Sequence, residues 1–168
     1  MLTFSVITYN IEIVVSDLKT ELKQTKPFRS LEQEAHLSIQ RTSAELEHGF
    51  ETIVKPYGVT ATQYNVLRIL RGAEPAGLCR NEIGSRMLRR VPDVTRLLDR
   101  LEDVRLIVRE RGDEDRRYVT TRITASGLEL LATLDPVVDR FHAARLRHLD
   151  EAGLRSLIDM LGRVRDAG

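Results

Sequence analysis

The chain has 168 residues, of which 42% are apolar, and this content supports one domain with a single core. Its 26 basic and 25 acidic residues nearly cancel, and its single cysteine excludes an intramolecular disulfide framework. No apolar run approaches the ~20 residues that span a bilayer, and the N-terminal segment lacks the positive start of a secretory signal. We therefore expect a soluble, cytoplasmic protein without a membrane partner.

Residues 1–29 differ in composition from the rest of the chain. They hold three of the four lysines, and every basic residue after Lys55 is an arginine. Apolar residues alternate here as in a strand, with one slip, at Leu2, Phe4, Val6, Ile7, Tyr9, Ile11 and Ile13. We interpret this segment as an N-terminal extension, either an edge strand or an arm loosely attached to the body.

A long helix is predicted next. Ser30 and Gln33 have the spacing of a capping box, and the helix runs to about Lys55, where Pro56 and Gly58 stop it. Its apolar positions are Leu31, Ala35, Leu46, Phe50, Ile53 and Val54.

A second capping box, Thr60 with Gln63, opens another helix. The apolar positions of this helix are Tyr64, Leu67 and Leu70. The glycines and proline of residues 72–77 then predict a loop.

Residues 78–104 predict two helices joined by a tight turn. Leu78 and Cys79 start the first helix, which has apolar residues at Ile83, Met87 and Leu88. Pro92 suits the first position of the second helix, because its missing N–H costs nothing there. The core-facing stripe of the second helix comprises Val94, Leu97, Leu98 and Leu101.

After Leu106 the period changes to that of strands. Ile107–Arg111 and residues 117–123 are rich in β-branched residues and arginine, and residues 112–115 between them have turn chemistry. A helix–turn–helix followed by a β-hairpin is a winged helix, which we place at about residues 60–124. This motif predicts a DNA-binding protein.

The charge distribution agrees with this interpretation. Residues 80–122 carry 12 arginines against 9 acids, a net charge of +3, whereas residues 1–79 and 123–168 each have a net charge of −1. The positive excess therefore lies where a phosphate backbone would bind. Without the motif, a solvated basic face would explain this modest excess equally well.

Two further helices are predicted after the hairpin. Thr124 caps the first, and Pro136 falls inside it, so that we expect a kink rather than a stop. Asp150 is the N-cap of the last helix. The apolar stripe of the last helix comprises Leu154, Leu157, Ile158, Leu161 and Val164.

The long helices, at about residues 30–56 and 125–166, carry more apolar surface than one small core can bury. We therefore expect a homodimer that uses these helices as its interface. The predicted dimerisation residues are Leu31, Leu154, Leu157, Ile158 and Leu161.

Two segments, VPDVTRLLDRLE (91–102) and DEDRRYVTTRIT (113–124) with Gly127 following, resemble the MarR family of winged-helix transcriptional regulators. The resemblance covers roughly residues 30–166. It implies a mainly α fold with a small β-hairpin wing, in which dimerisation helices flank the winged helix. It also implies a homodimeric repressor of a palindromic operator, usually released by a small-molecule effector or by oxidation.

In a helix–turn–helix the N-terminal residues of the second helix reach base edges. Arg96 can donate twice to guanine, Thr95 can contact a thymine methyl or a phosphate, and Asp93 can accept from cytosine. Arg100 shares this outward face. The alternative for Arg96 and Arg100 is a surface ion pair with Asp99 or Asp103.

Arginines of the turn and the wing complete the predicted DNA contacts. Arg89 and Arg90, in the turn, suit phosphates. The resemblance identifies Arg117 as the minor-groove arginine and Asp115 as the carboxylate that orients it. The remaining wing contacts, to phosphate, are Arg111 and Arg116.

Two residues depart from the family pattern. Arg105 stands where members usually have glycine after the recognition helix, and a positive φ there would cost ~1 kcal/mol. Cys79 stands at an N-cap, a position that can make a thiol more reactive, so that a redox-sensing regulator is one alternative and a small, mostly buried cysteine the other.

No enzymatic motif stands out. Glu45 and His48 have the spacing of a helical ligand pair, but a di-iron site needs a second such pair and two more glutamates. We predict no catalytic residue, metal or cofactor. The alternative in another class is a helical dimer whose winged helix mediates protein contacts without binding DNA.

Overall fold

The computed structural model describes residues 17–111 and 119–166. The chain divides into two units, Met1–Glu45 and Leu46–Gly168. The alternating apolar segment predicted as a strand falls within residues 1–16, outside the described residues. None of the helices within the described ranges has both the length and the apolar content that a bilayer crossing requires.

The first unit holds a short helix, α1 (Leu18–Glu21), and the start of a long one, α2 (Leu31–Val54). The predicted capping box of α2 forms with one hydrogen bond moved by one residue along the backbone. Ser30 Oγ accepts a hydrogen bond from the Gln33 N–H at 3.3 Å, as predicted. The Gln33 side chain accepts at 2.8 Å from the N–H of Arg29 rather than that of Ser30.

The second unit contains the end of α2 and a winged helix. Its further elements are a 3₁₀ turn (Lys55–Tyr57), α3 (Ala61–Arg71), β1 (Leu78–Cys79), α4 (Arg80–Arg86), α5 (Val94–Asp103), β2 (Ile107–Arg111), β3 (Val119–Ile123), α6 (Ala125–Leu146) and α7 (Glu151–Asp166). The strands form an antiparallel sheet in the order β1-β3-β2. The predicted fold class, mainly α with a small β wing, is therefore confirmed.

The core of the second unit collects the predicted apolar stripes. Side chains from α3, α4, α5, α6, the end of α2 and the sheet form one buried cluster. Its fully buried members include Val54, Leu67, Leu70, Ile83, Leu101, Leu131 and Leu134. Arg71 ties α3 to α6 through two hydrogen bonds to Asp135, at 2.7 and 3.2 Å, and these bonds lower the pKa of that carboxyl.

Three predicted helix starts are confirmed by their caps. Thr60 and Gln63 form the complete capping box of α3. The Thr124 hydroxyl accepts from the N–H of Gly127 at 3.1 Å, and Asp150 accepts from the N–H of Gly153 at 2.8 Å. Helix α6 continues through Pro136, so the prediction that it does not stop there is also correct.

The strand β1 was not predicted, because Leu78 and Cys79 were placed at the start of a helix. Both residues pair instead with β3, Leu78 with Thr121 and Cys79 with Thr120. Gly77, just before the strand, has φ +72°, and a Cβ at this position would lie 2.8 Å from the backbone oxygen of Thr121. Only glycine allows this close approach.

Two predictions in the helix–turn–helix are wrong at the level of single residues. Pro92 is not the first residue of the second helix, because Asp93 is its N-cap and α5 begins at Val94. Leu88 does not belong to the apolar stripe of the first helix, because α4 ends at Arg86. The Leu88 side chain is 87% exposed.

The end of α5 is built around a left-handed residue, Arg105, with φ 59°. The Arg105 N–H donates to the carbonyl of Glu102 at 2.8 Å, and the Leu106 N–H donates to that of Leu101 at 3.0 Å. These two bonds are those of a Schellman motif, whose left-handed position glycine usually occupies. Arg105 therefore carries the positive φ whose cost the departure from the family glycine raises.

The same junction is tied to the start of α6. Thr124 donates its hydroxyl to the carbonyl of Arg105 at 2.8 Å, and its N–H to that of Leu106 at 3.1 Å. Gly127 packs directly on this turn, since a Cβ there would lie 2.4 Å from the Leu106 oxygen. The end of the second helix, the start of the hairpin and the start of α6 therefore share one joint.

Replacement of Arg105 by glycine should stabilise the protein. Relief of the left-handed strain gains about 1–2 kcal/mol, and the added freedom of the unfolded chain offsets about 0.4–1 kcal/mol of it. We therefore expect the free energy of unfolding, measured in urea, to rise by about 0.5–1 kcal/mol. Arg105→Ala is the control, because it removes the same side chain but keeps the strain. Equal stability of the two variants would contradict this account.

Candidate nucleic-acid interface

The rotation of α5 about its axis is set by its apolar face. Leu98 is 2% exposed and Leu101 is fully buried, and Val94 and Leu97 pack partly buried against the same core. The predicted stripe is therefore correct. On the opposite face the side chains of Thr95, Arg96 and Arg100 are exposed. This face offers guanidinium and hydroxyl donors, the groups that read base edges.

Asp93, predicted to accept from cytosine, has a structural role. Its Oδ1 accepts a hydrogen bond from the Arg96 N–H at 2.9 Å and so caps the first turn of α5. Because one carboxylate oxygen is engaged in the cap, only the other remains for a base.

The two predicted reading arginines are without protein partners among the described residues, where neither Arg96 nor Arg100 forms a side-chain hydrogen bond or ion pair. Of the two partners considered for them, Asp99 and Asp103, Asp99 binds Arg109 instead. Thr95 accepts a hydrogen bond at 3.3 Å from Arg80, which lies at the start of α4. Both arginines can therefore bind a ligand without first breaking a contact within this part of the chain.

Arg109, on β2, is the site residue that the sequence interpretation missed. Its guanidinium lies 2.7 Å from Oδ1 of Asp99, and its Nε donates to Oε2 of Glu102 at 2.8 Å. The Arg109 N–H donates to the other oxygen of Glu102 at 3.0 Å. The guanidinium lowers the pKa of Glu102 and, in return, the carboxylate raises the pKa of Arg109. These contacts fasten the wing to the outer side of the recognition helix.

The turn between α4 and α5 contains Arg89 and Arg90, both exposed. Arg89 is not free, because its Nη1 donates to Oε2 of Glu47, on α2, at 2.6 Å. Arg90 forms no such contact within residues 17–111 and 119–166. Of the two arginines predicted to bind phosphate, Arg89 is therefore already bound to a carboxylate, whereas Arg90 is not bound to one within these residues.

Three residues predicted to bind DNA from the wing, Asp115, Arg116 and Arg117, lie outside the described residues. Arg111 is exposed at the end of β2, where it pairs with Val119 of β3. This pair is the last one of the β2–β3 register within the described residues.

Cys79 is partly exposed and lies at the N-cap of α4. Its N–H donates to Oε2 of Glu82 at 2.8 Å, and this hydrogen bond lowers the pKa of Glu82. Cys79 also lines a cavity of about 420 Å³ together with Thr95, Arg109 and Thr121. Its redox role stays a prediction.

Three comparisons with known proteins agree with this geometry. The sequence model of the MarR family matches residues 57–117. The HTH-type transcriptional regulator YkoM of Bacillus subtilis is 35% identical over 92 residues, 55% of this chain and 56% of YkoM. The chain thus spans little more than half the length of that relative.

Two solved structures are similar to most of this chain. A MarR transcription factor from Planctomyces limnophilus is 39% identical, with a TM-score of 0.63, over 81% of this chain and 98% of that one. MepR of S. aureus, solved as a DNA complex, is 22% identical, with a TM-score of 0.73, over 79% and 97% of the two chains. The second likeness is one of fold alone.

Arg109→Met should destabilise the protein by about 1 kcal/mol at neutral pH, because Asp99 and Glu102 would then repel each other without a cation between them. Because folding lowers the pKa of Glu102, this contribution is complete above about pH 5 and is lost as the pH falls below about 4. Urea unfolding of wild type and variant across this range measures the difference.

Arg122→Met is the matched control for this experiment. Arg122 pairs with Glu110 at 3.2 Å within the same sheet but forms no ion pair with α5. Two results would contradict the role of Arg109 as the link between β2 and α5. One is a loss of unfolding free energy in Arg109→Met that does not depend on pH, and the other is an equal loss in both variants.

Proposed function

This chain belongs to the MarR family of transcriptional regulators, and on that premise we propose that it is a homodimeric repressor that binds a palindromic operator and is released by a small-molecule effector. The observation that carries the proposal is the outward face of α5, where Arg96 and Arg100 are exposed and lack partners among the described residues. Such a regulator acts where the chromosome lies, so we also propose a cytoplasmic location.

The reading of sequence is assigned to the N-terminal half of α5. Arg96 is the third residue of α5 and can present two donors to guanine in the major groove. Thr95 lies beside it and can contact a thymine methyl or a phosphate. Asp93 both caps the helix and keeps one oxygen for a cytosine amine.

The wing is assigned to the flanking minor groove. We propose Arg117 as the inserted arginine and Asp115 as its orienting carboxylate, while Arg111 and Arg116 bind phosphates. Support comes from the family pattern and from the end of the hairpin at Arg111 and Val119. Because Arg109 fastens β2 to α5, the first strand of the wing is held beside the recognition helix before DNA binds.

A second copy of the chain is the proposed partner of the terminal helices. No residue of α7 is buried, and Ile158 and Val164 remain 66% and 60% exposed. In the first unit, Leu31 is 80% exposed. Leu154, Leu157 and Leu161 are half-buried. Large apolar surfaces of this kind mark an interface, and a two-fold dimer would place two recognition helices one DNA turn apart, about 34 Å.

Arg96→Ala should weaken binding to a preferred duplex selected from a randomised library by about 1–3 kcal/mol per half-site and leave binding to a scrambled duplex nearly unchanged. Arg117→Ala is the matched comparison and should weaken both duplexes alike, because the minor groove separates only A·T from G·C. Fluorescence anisotropy at several salt concentrations measures both. Equal losses for Arg96→Ala on the two duplexes would mean that Arg96 contacts phosphate only.

The dimer is tested by its mass. Light scattering at micromolar concentration should give twice the chain mass of 19.2 kDa. The double change Leu157→Glu with Leu161→Glu should yield monomers or aggregates, because it places charges in a buried seam. Arg155→Glu with Asp159→Arg, on the exposed side of α7, is the control and should remain dimeric. A wild-type monomer would remove the two-half-site proposal.

A further inference from the structure

The two arginines of the α4–α5 turn differ in one respect. Arg89 donates from Nη1 to Oε2 of Glu47 at 2.6 Å, across 42 residues of sequence. Arg90, its neighbour in the chain, is exposed and has no ion pair in the part of the chain that the structure describes. One arginine is therefore already bound to a carboxylate, whereas the other is available.

We propose that Glu47 competes with DNA phosphates for Arg89 and thereby limits the affinity of this chain for DNA. The inference rests on the proposed DNA-binding function, because the turn must face the phosphate backbone. In a helix–turn–helix the first helix crosses the backbone and the start of the second enters the groove. The connecting turn lies between these two contacts, so a released Arg89 reaches phosphate.

The ion pair is suited to exchange rather than to stabilising the fold. Its side chains are 70% exposed at Arg89 and 42% exposed at Glu47, and pairs of such exposure contribute little to stability. Duplex DNA, in contrast, presents one negative charge about every 1.7 Å along its axis. Arg89 can therefore leave Glu47 for a phosphate, but the affinity gained is reduced by the free energy of the ion pair that breaks.

The neighbouring carboxylate of α2 has a different task. Glu51, one turn further along, accepts the N–H of Ala61 at 2.7 Å and so caps the start of α3. Glu47 holds no backbone group of this kind among the described residues; its recorded partner is the Arg89 side chain. Its charge can therefore be removed without exposing an unpaired amide.

The test is Glu47→Gln, measured by fluorescence anisotropy on a labelled random-sequence duplex, since phosphate contacts are independent of sequence. Binding should tighten about two- to fivefold per half-site, the range that one exposed ion pair allows. The slope of log affinity against log salt should change by less than the ~0.9 of a whole phosphate contact, because Arg89 reaches phosphate in both proteins. Thermal unfolding checks that each variant is folded, and Glu47→Asp, with its shorter reach, replaces the Gln variant if that one does not fold.

A double-mutant cycle separates competition from mere proximity of charge. In an Arg89→Gln background, Glu47→Gln should leave DNA affinity unchanged, whereas in an Arg90→Gln background it should give its full gain. A gain that persists without Arg89 would overturn the proposal, because Glu47 would then act only as a nearby charge. An unchanged affinity for Glu47→Gln alone would also overturn it. Failure of the wild type to bind any duplex would instead contradict the proposed function itself.

Discussion

The burial of Leu98 and Leu101 fixes how α5 is rotated about its own axis, and every assignment on the recognition helix depends on that rotation. A helix side chain changes its direction by about 100° per residue, so a different rotation would bury Arg96 or turn Asp99 towards the groove. The apolar face thus determines which polar groups are offered to DNA. Arg109 then adds a second constraint, because its contacts to Asp99 and Glu102 hold the wing in a set position beside the helix.

Features controlled by local chemistry could be predicted from the sequence. The caps at Thr60, Thr124 and Asp150 formed because a hydroxyl or carboxylate lies three residues from the amide that it accepts. The stripe of α5 followed from helical periodicity in the same way. The family pattern, with its usual glycine, marked Arg105 as the position where a positive φ would be costly, and the residue does adopt φ 59°.

Features that depend on distant partners could not be predicted. The strand β1 has only two residues, and its pairing with Thr120 and Thr121 leaves no periodic signal. The contact between Arg89 and Glu47 joins residues that are 42 apart in the sequence. Nothing in the sequence distinguishes Arg89 from the other arginines of residues 80–122 as the partner of Glu47. Arg109 was overlooked because its alternating position on a strand says nothing about the helix beside it. The available clue was that Asp99 and Glu102, two acids of the recognition helix, lie close to Arg109 in the sequence.

The joint beneath Gly127 has a practical consequence for engineering. Leu106 presents its carbonyl to the space that a side chain at residue 127 would fill, and Thr124 binds the backbone on the same turn. A chimera that exchanges only the two strands of the hairpin would separate Leu106 from the Thr124 and Gly127 that pack against it. Grafts between relatives should therefore carry residues 105–127 as one cassette, whereas the outward positions of α5 can be recoded individually to redirect specificity.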